Sequence, residues 1–446
     1  MSCNVCYAIH DLLLTLLRIM LKAQIGRKKK EFNFFVTFFT FVYATLALMN
    51  SYIELLKSEP ILRRLSLVQL ISYFGAWFSN VAIYTLLLQM KVSAEVVAFT
   101  AMLHFLSGII QAPFSGSVID SMKPKKLLLI LIACEIFATL FLVFVDDVSD
   151  LWLLYMLIFL KMAAASFYFT TEMSLLPKIL GGERLQKANE LHSIIWSFSY
   201  TLGMALSGFV VFWLGIKIAF VLDALMFVVG FWLLYTLRLE TDFIKSKESL
   251  LRMMGDTFRY LKKNPHALHL MALHAFVGLT AFDALVALMV EKYYASIIAT
   301  SLALGLLHAF RALGLVVGPI IMGRFVNDKR LVYVFVAQGF AIWLWAYMME
   351  HFYLSLFASV IVGFFTTTLW SHTYTLLQKN IDKKYYGRIV AYNDMLFLSM
   401  ATFTSFMIGF LATDGYSLEF ITWLMGAGFL VGAFYVRWIL KTQNLK

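Results

Sequence analysis

The sequence has few charged residues for its length. Of its 446 residues, 14% are Asp, Glu, Lys or Arg, whereas 61% are apolar, and the mean hydropathy is +0.80. A water-soluble protein of this composition would expose most of that apolar surface to water, at a cost of roughly 25 cal/mol per Å². The composition therefore excludes a soluble globular protein and indicates a chain that lies in a lipid bilayer.

Cysteine is scarce, and the motifs of several enzyme classes are missing. Only Cys3, Cys6 and Cys134 are present. The first two have CxxC spacing, but no second pair or histidine cluster accompanies them, so neither a metal site nor redox chemistry is predicted. The sequence has no HExxH zinc motif, no GxxxxGK[ST] phosphate loop and no nucleophile with a neighbouring base. We therefore expect neither an enzyme nor a cofactor.

Acidic residues are fewer than basic ones, which gives a formal net charge of +11. The basic residues occupy short gaps between apolar runs and form no continuous basic face. They therefore indicate how the chain crosses a membrane, and no nucleic-acid partner is predicted.

Apolar segments of about twenty residues recur from Ser66 onward, and each is long enough to cross a hydrocarbon core of ~30 Å. The sequence predicts twelve spans, at residues 66–90, 94–119, 126–146, 151–175, 189–213, 216–237, 266–290, 297–323, 331–349, 352–377, 389–412 and 417–440. The loops on one side carry twenty Lys and Arg residues, whereas the opposite loops carry only Lys91, Lys217 and Lys292. Because basic loops stay in the cytoplasm, both ends of the twelve-helix core are predicted to be cytoplasmic.

An N-terminal extension, residues 1–58, precedes these spans and contains one extra hydrophobic segment. Residues 7–21 fit an interfacial helix, whereas residues 32–55 have the length of a span. Basic residues flank both ends of the second segment, so a single crossing contradicts the charge rule. Either this segment lies on the surface or re-enters the membrane, or the working protein begins at Met49, which is the interpretation we favour.

The spans divide into two sets of six, residues 59–238 and 265–446, joined by a polar linker at 239–264 with an amphipathic helix predicted over 249–263. The segment that leads from the fourth to the fifth span matches the one that leads from the tenth to the eleventh. In this match Asn189 corresponds to Asn393 and Gly208 to Gly409. The predicted fold is thus all-α and polytopic, with two pseudo-symmetric six-helix bundles.

The loop between the second and third spans, GSVIDSMKPKK, resembles the G-x-x-x-D-R-x-G-R-R loop of the major facilitator superfamily. The matching residues are Gly116, Asp120, Lys125 and Lys126, whereas Ser121 replaces the first arginine of the pattern. The glycine permits close helix packing, and the carboxylate lies at a helix end, where it can bind across helix termini. We expect these four residues to form a cytoplasmic gate motif.

Further motifs resemble the macrolide-efflux and enterobactin-exporter branch of that family. They are the Ala-Asn dipeptide at 188–189, VLDALMF at 221–227 and GR-x-x-A-x-N at 387–393. Gly203, Ser207 and Gly208 resemble the antiporter motif of exporters, with Met204 where proline is usual. These small residues present a face on which helices pack closely.

This resemblance implies a multi-pass protein of the bacterial cytoplasmic membrane that exports small amphipathic molecules, such as drugs, macrolides or siderophores, by antiport. The coupling ion is expected to be the proton, with sodium as the alternative, and membrane lipids are the surrounding partners. A lysophospholipid flippase or an importer on the same fold is the alternative function. An intramembrane enzyme or a sensor is the least favoured.

Four ionisable residues near the middle of predicted spans are candidates for function, because each charge there costs at least ~2.5–3.5 kcal/mol on insertion scales. Glu135 in the third span and Lys161 in the fourth are a possible pair, as are Asp283 in the seventh and Arg311 in the eighth. Because a buried acid beside a movable cation can bind and release a proton, these four are the candidates for proton coupling. The alternative role is a static ion pair that holds helices together.

Other polar residues in the spans are given structural roles. Glu172 is predicted to be a solvated carboxylate near the inner end of the fourth span, and Asp223 to be structural in the sixth. His104, His308 and His372 are predicted to be neutral, hydrogen-bonded imidazoles without metal-binding spacing.

Overall fold

A computed structural model of the chain describes residues 50–180, 182–239, 250–322, 325–382 and 385–442. These residues are α-helical, with short 3-10 and π segments and no β-strand among them. Twelve of the described helices are long and apolar enough to cross a membrane. The prediction of an all-α chain with twelve spans is confirmed.

The first half of the molecule contains a short leading helix, Asn50–Ser58, and six long helices. These are α1 (Pro60–Gln89), α2 (Ala94–Ser121), α3 (Pro124–Phe141), α4 (Leu151–Ile179), α5 (Gly182–Leu214) and α6 (Ile216–Thr236). Their connections are short, so consecutive helices run antiparallel.

The second half begins after a linker helix, Leu250–Lys263, at the place where an amphipathic helix was predicted. Its helices are α7a (Pro265–Ala275), α7b (Asp283–Met289), α8 (Thr300–Met322), α9 (Leu331–Met348), α10 (Phe352–Lys379), α11 (Tyr386–Thr413) and α12 (Leu418–Thr442). A 3-10 turn, Phe276–Thr280, separates α7a from α7b, and a π turn, Val290–Tyr294, follows α7b. The seventh span is therefore broken near its middle.

Backbone signals at equivalent points of the two halves support the pseudo-symmetry. Gly215 joins α5 to α6 and Gly415 joins α11 to α12, and each has a φ of +87°. Glycine adopts this left-handed conformation without steric cost, because it has no Cβ atom. The same turn therefore connects the last two helices of both bundles.

The halves contact each other through α2 with α11 and through α5 with α8, and α7b adds a contact with α2. We call the end of the molecule at which α6 leads to the linker helix the linker face, and the opposite end the far face. Within the first half α1 packs on α5 and α6, and α3 packs on α4 and α6. Within the second half α8 packs on α10 and α9 on α12.

Some predictions fall on parts that the structure does not describe. Residues 1–49 lie outside the described residues, and with them most of the extra hydrophobic segment, residues 32–49, and the question of a start at Met49. Part of the predicted linker, residues 240–249, also lies outside them. The bounds 59–238, 239–264 and 265–446 remain predictions.

Candidate functional site

A buried ion pair lies in the middle of the first half. The Lys161 Nζ of α4 is 2.9 Å from the Asp223 Oδ2 of α6, and the two side chains are 2% and 0% exposed. The Ser79 hydroxyl of α1 donates to the same carboxylate oxygen. Gly75 lies where Asp223 and the Phe227 ring contact α1, so a Cβ at that position would collide with them.

This geometry corrects the predicted partner of Lys161, which was Glu135. The partner of Lys161 is instead Asp223 of α6, a helix that packs against α1 and α3. The Ser79 hydroxyl also donates to the Asp223 carboxylate. Glu135 is 1% exposed, and its Oε2 has no hydrogen-bond partner among the described residues. Its carboxyl group still interacts electrostatically with Lys161 and Asp223. Glu135, Lys161 and Asp223 are here called the buried triad, which has two acidic side chains and one basic side chain.

A second set of ionisable groups lies where the two halves meet. Asp283 is the first residue of α7b, so its carboxylate lies at a helix N-terminus beside the break in the seventh span. Unpaired N–H groups at helix starts favour negative charge there. Its nearest basic group among the described ion pairs is the His308 imidazole of α8, with Nε2 3.9 Å from Oδ1.

A hydroxyl from the first half joins this set. The Tyr200 Oη of α5 lies 3.1 Å from His308 Nδ1, and Arg311 Nη1 donates to the same oxygen over 3.4 Å. The Tyr200 hydroxyl can accept a hydrogen bond from Arg311 and donate one to His308 Nδ1. In that arrangement the neutral imidazole carries its proton on Nε2, on the side of Asp283. We call Tyr200, Asp283, His308 and Arg311 the interfacial cluster.

Arg311 does not meet Asp283 as the sequence had suggested. No salt bridge joins them in the described part of the chain. Instead, Arg311 Nη2 donates to the Thr280 carbonyl over 2.8 Å, and the guanidinium lies 4.8 Å from the centre of the Phe282 ring. Thr280 ends the 3-10 turn, where carbonyls lack the regular helical hydrogen bond. The break in α7 therefore supplies the acceptor that holds Arg311.

An aromatic surface from the first half lies next to the interfacial cluster. Trp196 stacks on Tyr200 one turn along α5, with ring centres 5.7 Å apart and planes at 7°. Trp77 of α1 packs edge-on against both rings, 4.6 Å from Tyr200 and 5.6 Å from Trp196. Both tryptophans are only partly buried. The surface can bind planar or apolar parts of a small molecule, while Arg311 and Asp283 offer charges to its polar parts.

Near the far face, two glycines allow helices of the two halves to pack closely. A Cβ on Gly208 of α5 would lie 2.6 Å from the Ser301 carbonyl oxygen and 3.1 Å from the Gly305 Cα of α8. Gly409, the residue of α11 that matches Gly208 in the sequence repeat, likewise packs against Ala98 of α2. Backbones this close leave no space for a ligand between these helices, so the far face is closed at both contacts.

Gly203 and Ser207, the other residues of the antiporter-like motif, have different surroundings. Gly203 packs α5 against α1 within the first half, where a Cβ would lie 2.9 Å from the Phe74 carbonyl oxygen. Ser207 is fully buried, and its hydroxyl has no partner among the described residues.

The gate motif is only partly described. Gly116 and Asp120 belong to the end of α2, but their side chains lie outside what the structure describes. Lys125 Nζ donates to the Tyr235 carbonyl oxygen over 2.8 Å, and Lys126 is exposed. A cation at the C-terminal end of α6 is favoured by the helix dipole, so Lys125 fixes the start of α3 to the end of α6.

Removing the Tyr200 hydroxyl should destabilise the junction between the halves. In Tyr200→Phe, Arg311 and His308 lose a buried partner, which should cost about 1–3 kcal/mol. The measurement is thermal unfolding of the purified protein in detergent. Tyr84→Phe is the matched control, because the Tyr84 hydroxyl is buried without a partner among the described residues. Equal losses in the two variants would contradict the assigned hydrogen bonds.

Sequence reasoning missed several members of these sites. The sequence is rich in aromatic residues, and no spacing pattern distinguishes Tyr200, Trp77 and Trp196 from the others. His308 was predicted to be hydrogen-bonded, and it is, but its place beside Asp283 was not foreseen. The one available signal was that both lie on neighbouring spans, 25 residues apart.

Two six-helix halves that cross a membrane, with ionisable groups where they meet, indicate a membrane transporter and not an enzyme. The chain belongs to the Major Facilitator Superfamily, whose family model matches residues 65–404.

Solved structures of transporters have the same fold. A structure of the nucleoside transporter NupG matches with a TM-score of 0.67 and 12% identity, covering 85% of this chain and 99% of that chain. A D-xylose-proton symporter matches with a TM-score of 0.67 and 11% identity, covering 84% and 96%. A search of curated proteins found no match to the sequence. Because the identities are low, the likeness concerns the fold alone.

Proposed function

We propose that this protein is a secondary transporter that exports small amphipathic molecules across the bacterial cytoplasmic membrane by proton antiport. The observation that carries the proposal is the interfacial cluster. It places Arg311, Asp283 and His308 of the second half beside the Trp77, Trp196 and Tyr200 rings of the first half. A cargo with an apolar body and a polar end could contact both halves there, at the discontinuous helix where transporters bind their substrates.

The proposed orientation has the linker face in the cytoplasm. The excess of Lys and Arg in the loops at that face supports it. The contacts of Gly208 and Gly409 then close the external side in the described conformation. A rocking motion that separates these contacts would expose the site to the outside.

Export in particular is supported by the residues that resemble the macrolide-efflux and enterobactin-exporter branch. The partly buried aromatic rings also suit apolar cargo. Proton coupling is supported by two acids within the spans, the partly buried Asp283, which lies 3.9 Å from the His308 imidazole, and the buried Glu135, which interacts with Lys161. We assign them as coupling groups, with Arg311 and Lys161 as the cations that respond to their protonation.

The proposal is tested by expressing the full chain in an efflux-deficient bacterium and measuring susceptibility to macrolides, dyes and siderophores, with and without a protonophore. We expect lower susceptibility to some compounds, abolished by the protonophore. A sodium ionophore in parallel separates the two coupling ions. If no compound is moved, export is wrong, and if a compound accumulates inside the cells, the chain is an importer.

Asp283→Asn should abolish gradient-driven transport, because the amide cannot exchange a proton. Asp146→Asn is the control, since Asp146 is an exposed acid that is 61% accessible at the far face. Membrane abundance of both variants is measured by quantitative immunoblotting. Loss of transport at normal abundance supports coupling, and full transport in Asp283→Asn contradicts it.

A further inference from the structure

A second group of buried polar side chains lies in the first half, between the buried triad and the linker face. Glu172 of α4 is 2% exposed, and its Oε2 has no hydrogen-bond partner among the residues described. The prediction that this carboxylate is solvated was wrong. Leu175 and Leu176, at the following positions of α4, are also buried, so helix packing continues past Glu172 toward the linker face.

Four polar residues surround this part of the bundle. The Tyr168 hydroxyl, one turn before Glu172, is buried without a partner in the described chain. Gln69 of α1 forms a hydrogen bond with His192 Nδ1 of α5, and His192 Nε2 remains without a partner among the described residues. The Tyr73 ring meets the His192 ring edge-on at 5.7 Å. Unpartnered polar atoms grouped in this way suit bound water.

The helix geometry aligns this group with the buried triad. Lys161, Tyr168 and Glu172 are spaced at i, i+7 and i+11, so they lie on one face of α4. Eleven residues of helix rise about 16 Å. Glu172 is seven residues before Ile179, the last residue of α4, and so lies about 10 Å from the linker-face end. The polar face thus leads from near the linker face to the middle of the bundle.

Two hydroxyl groups lie within electrostatic range of the acids at both ends of this face. The hydroxyl groups of Tyr73 and Tyr168 each interact with both Glu172 and Glu135. The titratable groups that interact with Glu172 are therefore Tyr73 of α1 and Tyr168 of α4, and the hydrogen-bonded pair of Gln69 and His192 adjoins Tyr73. Those that interact with Glu135 are Tyr73 of α1, Cys134 of α3, Lys161 and Tyr168 of α4, and Asp223 of α6.

The two halves differ in whether their buried charges balance. The buried triad has two carboxyl groups and one ammonium group, so it is neutral only when one carboxyl group holds a proton. An unbalanced charge in an apolar interior costs several kcal/mol, and Glu135 is the acid without a direct partner. In the interfacial cluster, Asp283 and Arg311 balance each other while His308 is neutral. The triad, in the first half, is therefore a second place for an exchangeable proton, beside Asp283 of the interfacial cluster.

We propose that the first half conducts protons between the linker face and Glu135, through Glu172, the hydroxyl groups of Tyr168 and Tyr73, and water bound among them. The proposal rests on the proposed proton coupling. In each transfer, a hydroxyl oxygen receives a proton from the Glu172 side and gives its own proton toward Glu135, so it ends as it began. When Glu135 is protonated, Lys161 pairs with Asp223 alone, and when Glu135 is ionised, both acids share Lys161.

The test uses the proton itself as the probe. The purified full chain in lipid nanodiscs is acidified rapidly, and the infrared absorption of protonated carboxyl groups is followed in time. Difference spectra against Glu135→Gln and Glu172→Gln assign the two signals. In Glu172→Gln, the Glu135 signal should rise about a hundredfold more slowly, the lower end of what a positioned proton-transfer group contributes. Tyr168→Phe should slow the same signal.

Thr171→Val is the matched control, because it removes a buried hydroxyl from the same turn of α4, and the hydrogen bond described for this hydroxyl is to the Phe167 carbonyl oxygen. It should leave the rate unchanged. A Glu135 signal that rises at the original rate in Glu172→Gln overturns the proposal, as does a Glu135 that never changes protonation. If Glu172→Gln does not accumulate, Tyr168→Phe decides by the same outcomes. Because no cargo is used, the result is independent of whether export is found.

Discussion

Replacing Lys161 with Met is expected to lower the stability of the protein by about 3–5 kcal/mol, because it leaves Asp223 as an unpaired charge in the interior. Asp223 is completely buried, and Ser79 is its only other described hydrogen-bond partner. The effect is measured as the fall in unfolding temperature of the purified protein in detergent, together with the amount that reaches the membrane.

The double variant Lys161→Met with Asp223→Leu should recover most of this loss. Removing both charges also removes the cost of burying them, and apolar replacements of similar volume are often neutral or stabilising. The recovered protein should fold but fail to couple cargo movement to protons, since Lys161 can no longer respond to Glu135. The double variant therefore separates the contribution of the pair to stability from its proposed role in transport.

The exposed pair of Lys217 and Asp146 is the control. Its atoms are 2.6 Å apart, but the side chains are 55% and 61% exposed. Water and salt screen such pairs, so Lys217→Met should leave the unfolding temperature nearly unchanged. If Lys161→Met is equally harmless, then Asp223 holds a proton in the folded protein, and the charge balance assigned to the triad is wrong.

The twelve spans and the pseudo-symmetry could be predicted because each depends on local signals. Membrane thickness fixes the length of an apolar segment, and repeated segments keep matched residues such as Gly208 and Gly409. In the structure, each of these glycines makes a close contact with the other half. Sequence matching thus identified equivalent positions, although the partners of each glycine came only from the fold.

The partners of charged residues could not be predicted in the same way. Lys161 and Asp223 are 62 residues apart, and which neighbour a side chain meets depends on the rotation of each helix about its axis. Uniformly apolar helices give little information on that rotation. Glu135 is the acid of the preceding span in the sequence, whereas Asp223, two spans later, is the acid that lies 2.9 Å from Lys161. Glu172 was misplaced for a related reason, since its depth along α4 did not reveal how the neighbouring helices cover it.

The break in the seventh span also gave no clear signal. No proline lies within residues 276–282, and the only local weakness is Gly278. A Cβ there would lie 2.7 Å from the Phe397 carbonyl oxygen of α11, so the glycine is needed for packing at the break. Tertiary contacts, including the Arg311 hydrogen bond to Thr280, stabilise a backbone that the local sequence would also allow to be helical.

Gly208→Ala is expected to shift the protein away from the conformation with a closed far face. The added methyl group would meet the Ser301 carbonyl and the Gly305 backbone, neither of which can move without α8. Overpacking of this kind costs about 1–3 kcal/mol, which is roughly a 5- to 150-fold change in the balance between closed and open states. Transport should fall in proportion, because the cycle must return through the closed state.

The shift can be measured with spin labels on Ser149→Cys and Ser417→Cys, two exposed far-face positions, after the three native cysteines have been replaced. Their separation should increase in Gly208→Ala. Gly230→Ala is the control, since a Cβ there has its nearest neighbours at 3.6 Å, an ordinary contact inside one half. If the distance distribution in Gly208→Ala matches that of the control, the contact between α5 and α8 does not close the far face, and another pair of helices must do so.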